Sequence, residues 1–161
     1  MTRGRNNPDG RIRKKVWIKA SADVVYRALT ESKELERWFC DQASCTPREG
    51  GELIACWRNG KLRRKGRAVF TRLVPESEME LLWVDDGGDH PEQDLRHTLK
   101  YEIRSSSEMT ELIVTDAVNL PTDEETYSFL DQGWNSVLLE LKDHCEQKER
   151  ASHARAKKTA R

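Results

Sequence analysis

The chain carries none of the short motifs that mark most enzyme active sites. The P-loop, the G-x-G-x-x-G fingerprint, the G-x-S-x-G elbow and H-E-x-x-H are all absent from its 161 residues. That excludes the usual phosphate cradles, the α/β-hydrolase nucleophile and the zincin metal pair. The four histidines, His90, His97, His144 and His153, lie far apart in sequence. The four cysteines, Cys40, Cys45, Cys56 and Cys145, form no C-x-x-C pair. A metal site is therefore unsupported, and no cofactor is expected. No apolar run approaches the ~20 residues of a membrane span. The positively charged N-terminus is not followed by the apolar stretch of a secretory signal. The expectation is a cytoplasmic protein with reduced thiols and no membrane partner. An excess of charge is also missing, because Lys+Arg 28 against Asp+Glu 28 leaves a formal net charge of +0. Nucleic acid gains no overall attraction from that balance.

What is present suits one domain. Hydrophobic residues make up 36% and charged residues 35%, enough for a core but with polar ends. The opening MTRGRNNPDGRIRKK and the closing KERASHARAKKTAR are basic, while the middle is acidic. The expected organisation is a disordered basic tail over 1–11, a domain over 12–148 and a second basic tail over 149–161. The tails serve either solubility or a weak polyanion contact.

Within the domain, residues 12–20 mix alternation with β-favouring side chains and predict a first strand. Ser21 then stands as N-cap of a helix over 21–30, with Asp23 in its first turn and Val24, Val25, Ala28 and Leu29 on its apolar face. A second short helix over 32–39 buries Leu35, Trp38 and Phe39, an i, i+3, i+4 set. After the turn PREGG come β-like runs over 52–58, 62–74, 78–85, 95–104 and 110–118. Short separators and no intervening helices make their sheet antiparallel. Thr122 and Glu125 have capping-box spacing. Tyr127, Leu130, Trp134, Val137, Leu138, Leu141 and Cys145 then form one face of a helix predicted over 123–148. Its length of about 39 Å is enough to cross a whole sheet.

Three features bear on chemistry. If SSSE, residues 105–108, closes a hairpin symmetrically, His97 faces Asp116, Leu99 faces Val114 and Tyr101 faces Leu112. Alternation puts these six on one inward face, with Arg96, Thr98, Lys100 and Glu102 on the other. A His–Asp pair on an apolar wall is a weak catalytic candidate as a general base, a contact for a polar ligand group, or an inert structural pair. Trp38, Trp57, Trp83 and Trp134 fall in predicted elements and face the interior as core or as cavity wall. The run KLRRKGR, residues 61–67, is either a solvated hairpin or a docking surface for an acidic partner or a phosphate-rich polymer. Few aromatics interleave its charges, which argues against nucleic acid. A further oddity is Gly133, inside the last helix and beside Trp134. Such a glycine costs about 1 kcal/mol relative to alanine. Either it lies on the surface, or it lets the helix backbone approach a concave sheet while the indole packs inward.

The order and spacing of VVYRALTESKELERWF (24–39), GGEL (50–53), Trp57, Gly66, PESEMELLW (75–83) and GWNSVLLELK (133–142) resemble a known group. They are similar to the START-related, birch-pollen-allergen-like helix-grip superfamily, SRPBCC, in the branch named for homologues of the activator of the ninety-kilodalton heat-shock protein ATPase. The resemblance covers most of 12–148. It implies an α+β helix-grip fold: a curved antiparallel sheet wrapped around a long C-terminal helix, with two short helices after the first strand and a cavity between sheet and helix.

Three functions compete under that resemblance. The first is a non-enzymatic START-like domain holding a small hydrophobic or aromatic ligand. Its cavity would be lined by Trp38, Phe39, Trp57, Trp83, His97, Tyr101, Asp116, Leu130, Trp134 and Leu138. The second is a protein-interaction module with a partner such as a chaperone, resting on the family name and on surfaces such as 61–67. The third is an enzyme like the cyclases, aromatases or hydrolases of the superfold, using His97 and Asp116.

Overall fold

A computed structural model describes residues 11–85, 96–118 and 124–159 of the chain. The expected N-terminal tail, apart from Arg11, lies outside these residues, as do the loop after Asp85 and the capping residue Thr122. Strand β1, Arg11–Ile18, leads to helices α1, Ala22–Thr30, and α2, Ser32–Trp38. Strands β2, Gln42–Cys45, β3, Glu52–Asn59, β4, Leu62–Val74, β5, Glu78–Asp85, β6, Arg96–Ser106, and β7, Met109–Val118, follow. Helix α3 runs over Glu124–Thr159. The strands form one seven-stranded sheet in the order β1-β7-β6-β5-β4-β3-β2. Every pairing is antiparallel. None of the helices in the described residues is long and apolar enough to cross a membrane.

Local chemistry accounts for the entry into the fold. Ser21 caps α1 as expected, its hydroxyl accepting the Val24 N–H at 3.3 Å. Ser32 opens α2 but does not cap it; its hydroxyl accepts from the Cys45 N–H at 3.1 Å and so fastens β2. Trp38 donates through Nε1 to the Ala28 carbonyl at 2.8 Å, pinning α2 against α1. The sheet bends where β4 slips register between Phe70 and Arg72, leaving Thr71 as the extra residue of a bulge. Ile18, Val25, Leu29, Phe70, Leu81, Leu112 and Leu141 belong to one buried core between sheet and helices.

The β6–β7 hairpin is tighter than predicted. Ser106 pairs with Met109, so the loop is Ser107–Glu108 rather than four residues. His97 therefore lies opposite Val118, and Asp116 opposite Leu99. A shift of two residues keeps every side chain on its predicted face, because the strand period is two.

Helix α3 continues eleven residues beyond the predicted end at 148. The segment from 147 to 159 is rich in Lys, Arg and Ala and holds no glycine or proline, so nothing stops the helix. Its inner face docks through Leu138, Leu141 and Cys145 in the core. Polar ties flank that stripe. Lys14 pairs with Asp131 at 2.9 Å, and Lys142 Nζ donates to the Trp17 carbonyl at 3.1 Å. Glu34 of α2 receives both His144 at 2.7 Å and Lys148 at 2.9 Å. Burial alone would raise the Glu34 carboxyl, but hydrogen bonds from Lys148 and His144 outweigh it and hold it below the ordinary value.

Gly133 overturns the close-approach reading. It is exposed, and a Cβ built on it meets nothing within 4 Å. Gly133→Ala should therefore stabilise the protein by about 0.5–1 kcal/mol, read as a melting temperature a few degrees higher. Close packing of side chains is instead permitted by Gly66. A Cβ there would sit 3.0 Å from the Trp83 ring and 3.3 Å from the Trp57 ring.

Candidate functional site

Two groups of side chains meet on the concave face of the sheet. The first is aromatic. Trp57 on β3 and Trp83 on β5 converge over Gly66 of β4, and Phe39 fits edge-on against them from the end of α2. Its ring centroid lies 5.2 Å from Trp57 and 6.4 Å from Trp83. Trp38 tilts against Phe39 at 5.2 Å. Trp57 Nε1 donates to the Phe39 carbonyl at 2.7 Å. With Trp38 bonded to Ala28, two indoles have their polar edge satisfied and turn only apolar surface to the interior.

Beside this cluster is a cavity of ≈ 20 Å³, lined by Leu29, Leu35, Trp38, Phe39, Leu53, Leu81, Trp83 and Tyr101. That is room for about one water.

The second group is polar. Asp116 of β7 is 2% exposed and uses both carboxylate oxygens. Oδ1 takes His97 Nδ1 at 2.8 Å, diagonally across the β6–β7 ladder. Oδ2 takes the Trp134 Nε1–H from α3 at 2.9 Å. An ionised carboxylate only accepts, so His97 carries its proton on Nδ1 and, when neutral, offers Nε2 as an acceptor. The His97 side chain is 27% exposed and stands opposite Trp83 in the β5–β6 ladder. Tyr101, four residues further along the same strand face, has its phenol pushed up by burial and then by the Asp116 charge. It is therefore a neutral hydrogen-bonding group rather than a base.

The predicted site residues fall into three sets. Trp38, Phe39, Trp83 and Tyr101 line the cavity, with Trp57 packed behind Phe39. His97, Asp116 and Trp134 form the polar cluster. Leu138 is in the core, and Leu130 is half-buried on the same helix. Leu29 and Leu35, expected from sequence only as buried helix positions, also line the cavity, as do Leu53 and Leu81, which were not named but lie at inward positions of predicted strands.

Nucleophilic chemistry finds little support. Burial pushes the Cys40 and Cys45 thiols up to about 11 and Cys145 to about 12, so these are not thiolates at neutral pH. Among the described residues, no group of three or more His, Cys, Asp or Glu side chains could hold a metal ion.

Comparison with known proteins agrees with the fold. The family model described as Activator of Hsp90 ATPase homolog 1-like protein matches residues 19–146. No curated protein matches the chain significantly. Among solved structures, protein MLL2253 from Mesorhizobium loti is 16% identical with a TM-score of 0.72, covering 85% of this chain and 97% of that one. The Aha1 dimer from Colwellia psychrerythraea is 22% identical with a TM-score of 0.68, covering 84% and 96%. DynU16, a putative protein in the dynemicin biosynthetic locus, is 19% identical with a TM-score of 0.74, covering 88% of this chain and 49% of that one. At these identities the likeness to solved structures is one of fold. Taken with the family match over most of its length, the curved antiparallel sheet closed on a long C-terminal helix makes this chain a member of the Activator of Hsp90 ATPase homolog 1-like family, within the helix-grip SRPBCC superfamily.

Proposed function

We propose that the protein binds a small apolar or aromatic molecule bearing one hydrogen-bonding group, on the inner face of the sheet beside the cavity that α1 and α2 close, without transforming it. The observation that carries this reading is Asp116. A carboxylate this deeply buried costs several kcal/mol unless its partners compensate. Its partners are the polar edges of two residues, His97 and Trp134, that belong to the inner wall. The pair fixes His97 in one tautomer, with Nε2 left to accept from a ligand hydroxyl or amide. Trp38, Phe39 and Trp83 supply an apolar face beside it.

Catalysis is the weaker reading, because a general base needs a nucleophile or an acidic substrate atom within reach. The hydrogen bonds described for His97 include no serine or cysteine.

The cavity holds about one water as it stands. Binding therefore requires the rings of Trp38, Phe39 and Trp83 to part, and tryptophan emission reports directly on that motion. The test combines native mass spectrometry of freshly purified protein, denaturing extraction, and titration with 2-naphthol. The expected result is an extra mass released on unfolding, or a saturable change in emission with naphthol. Bare protein together with an unchanged emission spectrum would overturn the ligand-binding reading.

A further inference from the structure

The β3–β4 hairpin carries a second, separate surface. Between Glu52 and Glu76 the chain has no carboxylate at all, although a third of its residues are charged overall. Two cations of that stretch are neutralised in the fold: Arg67 pairs with Glu52, and Arg72 pairs with Glu78 at 3.3 Å. A third, Arg64, lies over the Trp57 ring, 5.8 Å from its centroid. Arg58, Lys61, Arg63 and Lys65 remain. All four are exposed, and none has an ion-pair partner among the described residues.

The topology sets these four apart, although the Asp41 carboxylate accepts from the Arg58 backbone N–H at 2.6 Å. Among the described residues, β2 pairs with β3 as far as Cys56, and β5 pairs with β4 from Gly66 onward. Among the described residues, 57–65 therefore form a two-stranded ribbon beyond both neighbouring strands. Within it Arg58 lies directly opposite Arg63, and Lys65 lies opposite Cys56 on the same outer face. Like charges placed directly across a ladder destabilise it. A hairpin that gains no folding stability from this arrangement is better explained by what it attracts.

We propose that this ribbon is a docking surface for an acidic polypeptide segment. Arg63 and Lys65 alternate on one face, about 7 Å apart, with Arg58 about 5 Å across the ladder. An extended chain with carboxylates at every second residue has the same ~7 Å repeat. Nucleic acid fits less well. The ribbon's one tryptophan, Trp57, is bonded to the Phe39 carbonyl and covered by Arg64, so no base can stack on it. The chain's net charge of +0 also gives a duplex no long-range attraction.

The test uses the full chain and fluorescence anisotropy of a labelled oligo-glutamate peptide. A DNA duplex of equal total charge and the variant Lys157→Gln, on the basic end of α3, serve as comparisons. Saturable binding of the peptide is expected at about 50 mM salt, weakening about tenfold by about 200 mM. The triple variant Arg58→Gln, Arg63→Gln, Lys65→Gln should abolish binding, while Lys157→Gln retains it. The triple variant should melt at or above the parent temperature, since it relieves repulsion and removes no ion pair formed among the described residues. Tighter binding of the duplex would overturn the assigned partner class. Equal loss in Lys157→Gln, or no binding of the peptide, would overturn the surface itself. None of these outcomes depends on whether the inner cavity holds a ligand.

Discussion

Gly51→Ala should be among the most damaging single-methyl changes in the protein, costing about 3–5 kcal/mol. A Cβ on residue 51 would lie 2.0 Å from the Thr46 carbonyl oxygen and 2.9 Å from the Arg48 carbonyl oxygen. Both are backbone atoms, so no side chain can rotate away. The corner is also bonded on every side. Gly51 N–H donates to the Arg48 carbonyl at 2.8 Å, and the Gly51 carbonyl accepts from Phe70 N–H at 2.9 Å. Thr46 N–H donates to the Glu52 carbonyl at 2.9 Å. Making room breaks two or three such bonds at about 1 kcal/mol each, on top of the overpacking cost. For a chain of this length the melting temperature should fall by roughly 10 °C. Gly50→Ala is the control. Gly50 has φ +81 but open space around it, so alanine there costs only the left-handed penalty of about 1–2 kcal/mol. Urea denaturation of both variants separates the two effects. A Gly51→Ala loss no larger than that of Gly50→Ala would mean that the corner relaxes.

That corner illustrates what sequence can and cannot disclose. Its turn was legible from PREGG, but the need for glycine at 51 rather than 50 depends on where Thr46 folds back. Alternation located β3 to β7, since each strand keeps one face buried. It missed β2, because Gln-Ala-Ser-Cys has no β character of its own and is a strand only through its pairing with Leu53–Cys56. The two glycines of interest were exchanged for a similar reason. Gly133 stands out because helix propensity makes it costly, whether or not anything touches it. Gly66 is inconspicuous in a basic run, yet two tryptophans from flanking strands converge on it, and only the registers of three strands reveal that. The His97–Asp116 contact survived a register error of two residues because face parity was preserved and a diagonal neighbour is still within reach. Trp134 as the second partner of Asp116 required the docking of α3 on the sheet, which no local pattern encodes.

Replacing Asp116 should separate stability from function. Asp116→Ala leaves the Trp134 indole N–H without its buried acceptor and His97 without its tether. A buried donor left unsatisfied costs about 1–3 kcal/mol, and loss of a charge-assisted bond adds to it, so about 2–4 kcal/mol is expected. Asp116→Asn should cost less, because its carbonyl oxygen still accepts from Trp134 while its amide donates to Nδ1 of His97 in the other tautomer. The informative variant removes the cluster entirely: His97→Leu, Asp116→Leu and Trp134→Phe together. Buried ionic groups replaced as a set by apolar ones often leave stability unchanged or improved, since no polar atom is stranded. The triple variant should therefore melt near the parent, well above Asp116→Ala, and lose the naphthol response. A triple variant that melts as low as Asp116→Ala would make the cluster a structural brace. One that retains the naphthol response would remove His97 from the site. The cluster carries a desolvation cost that an apolar wall would avoid. If the fold stands without it, the remaining reason for a buried carboxylate here is the orientation it imposes on His97.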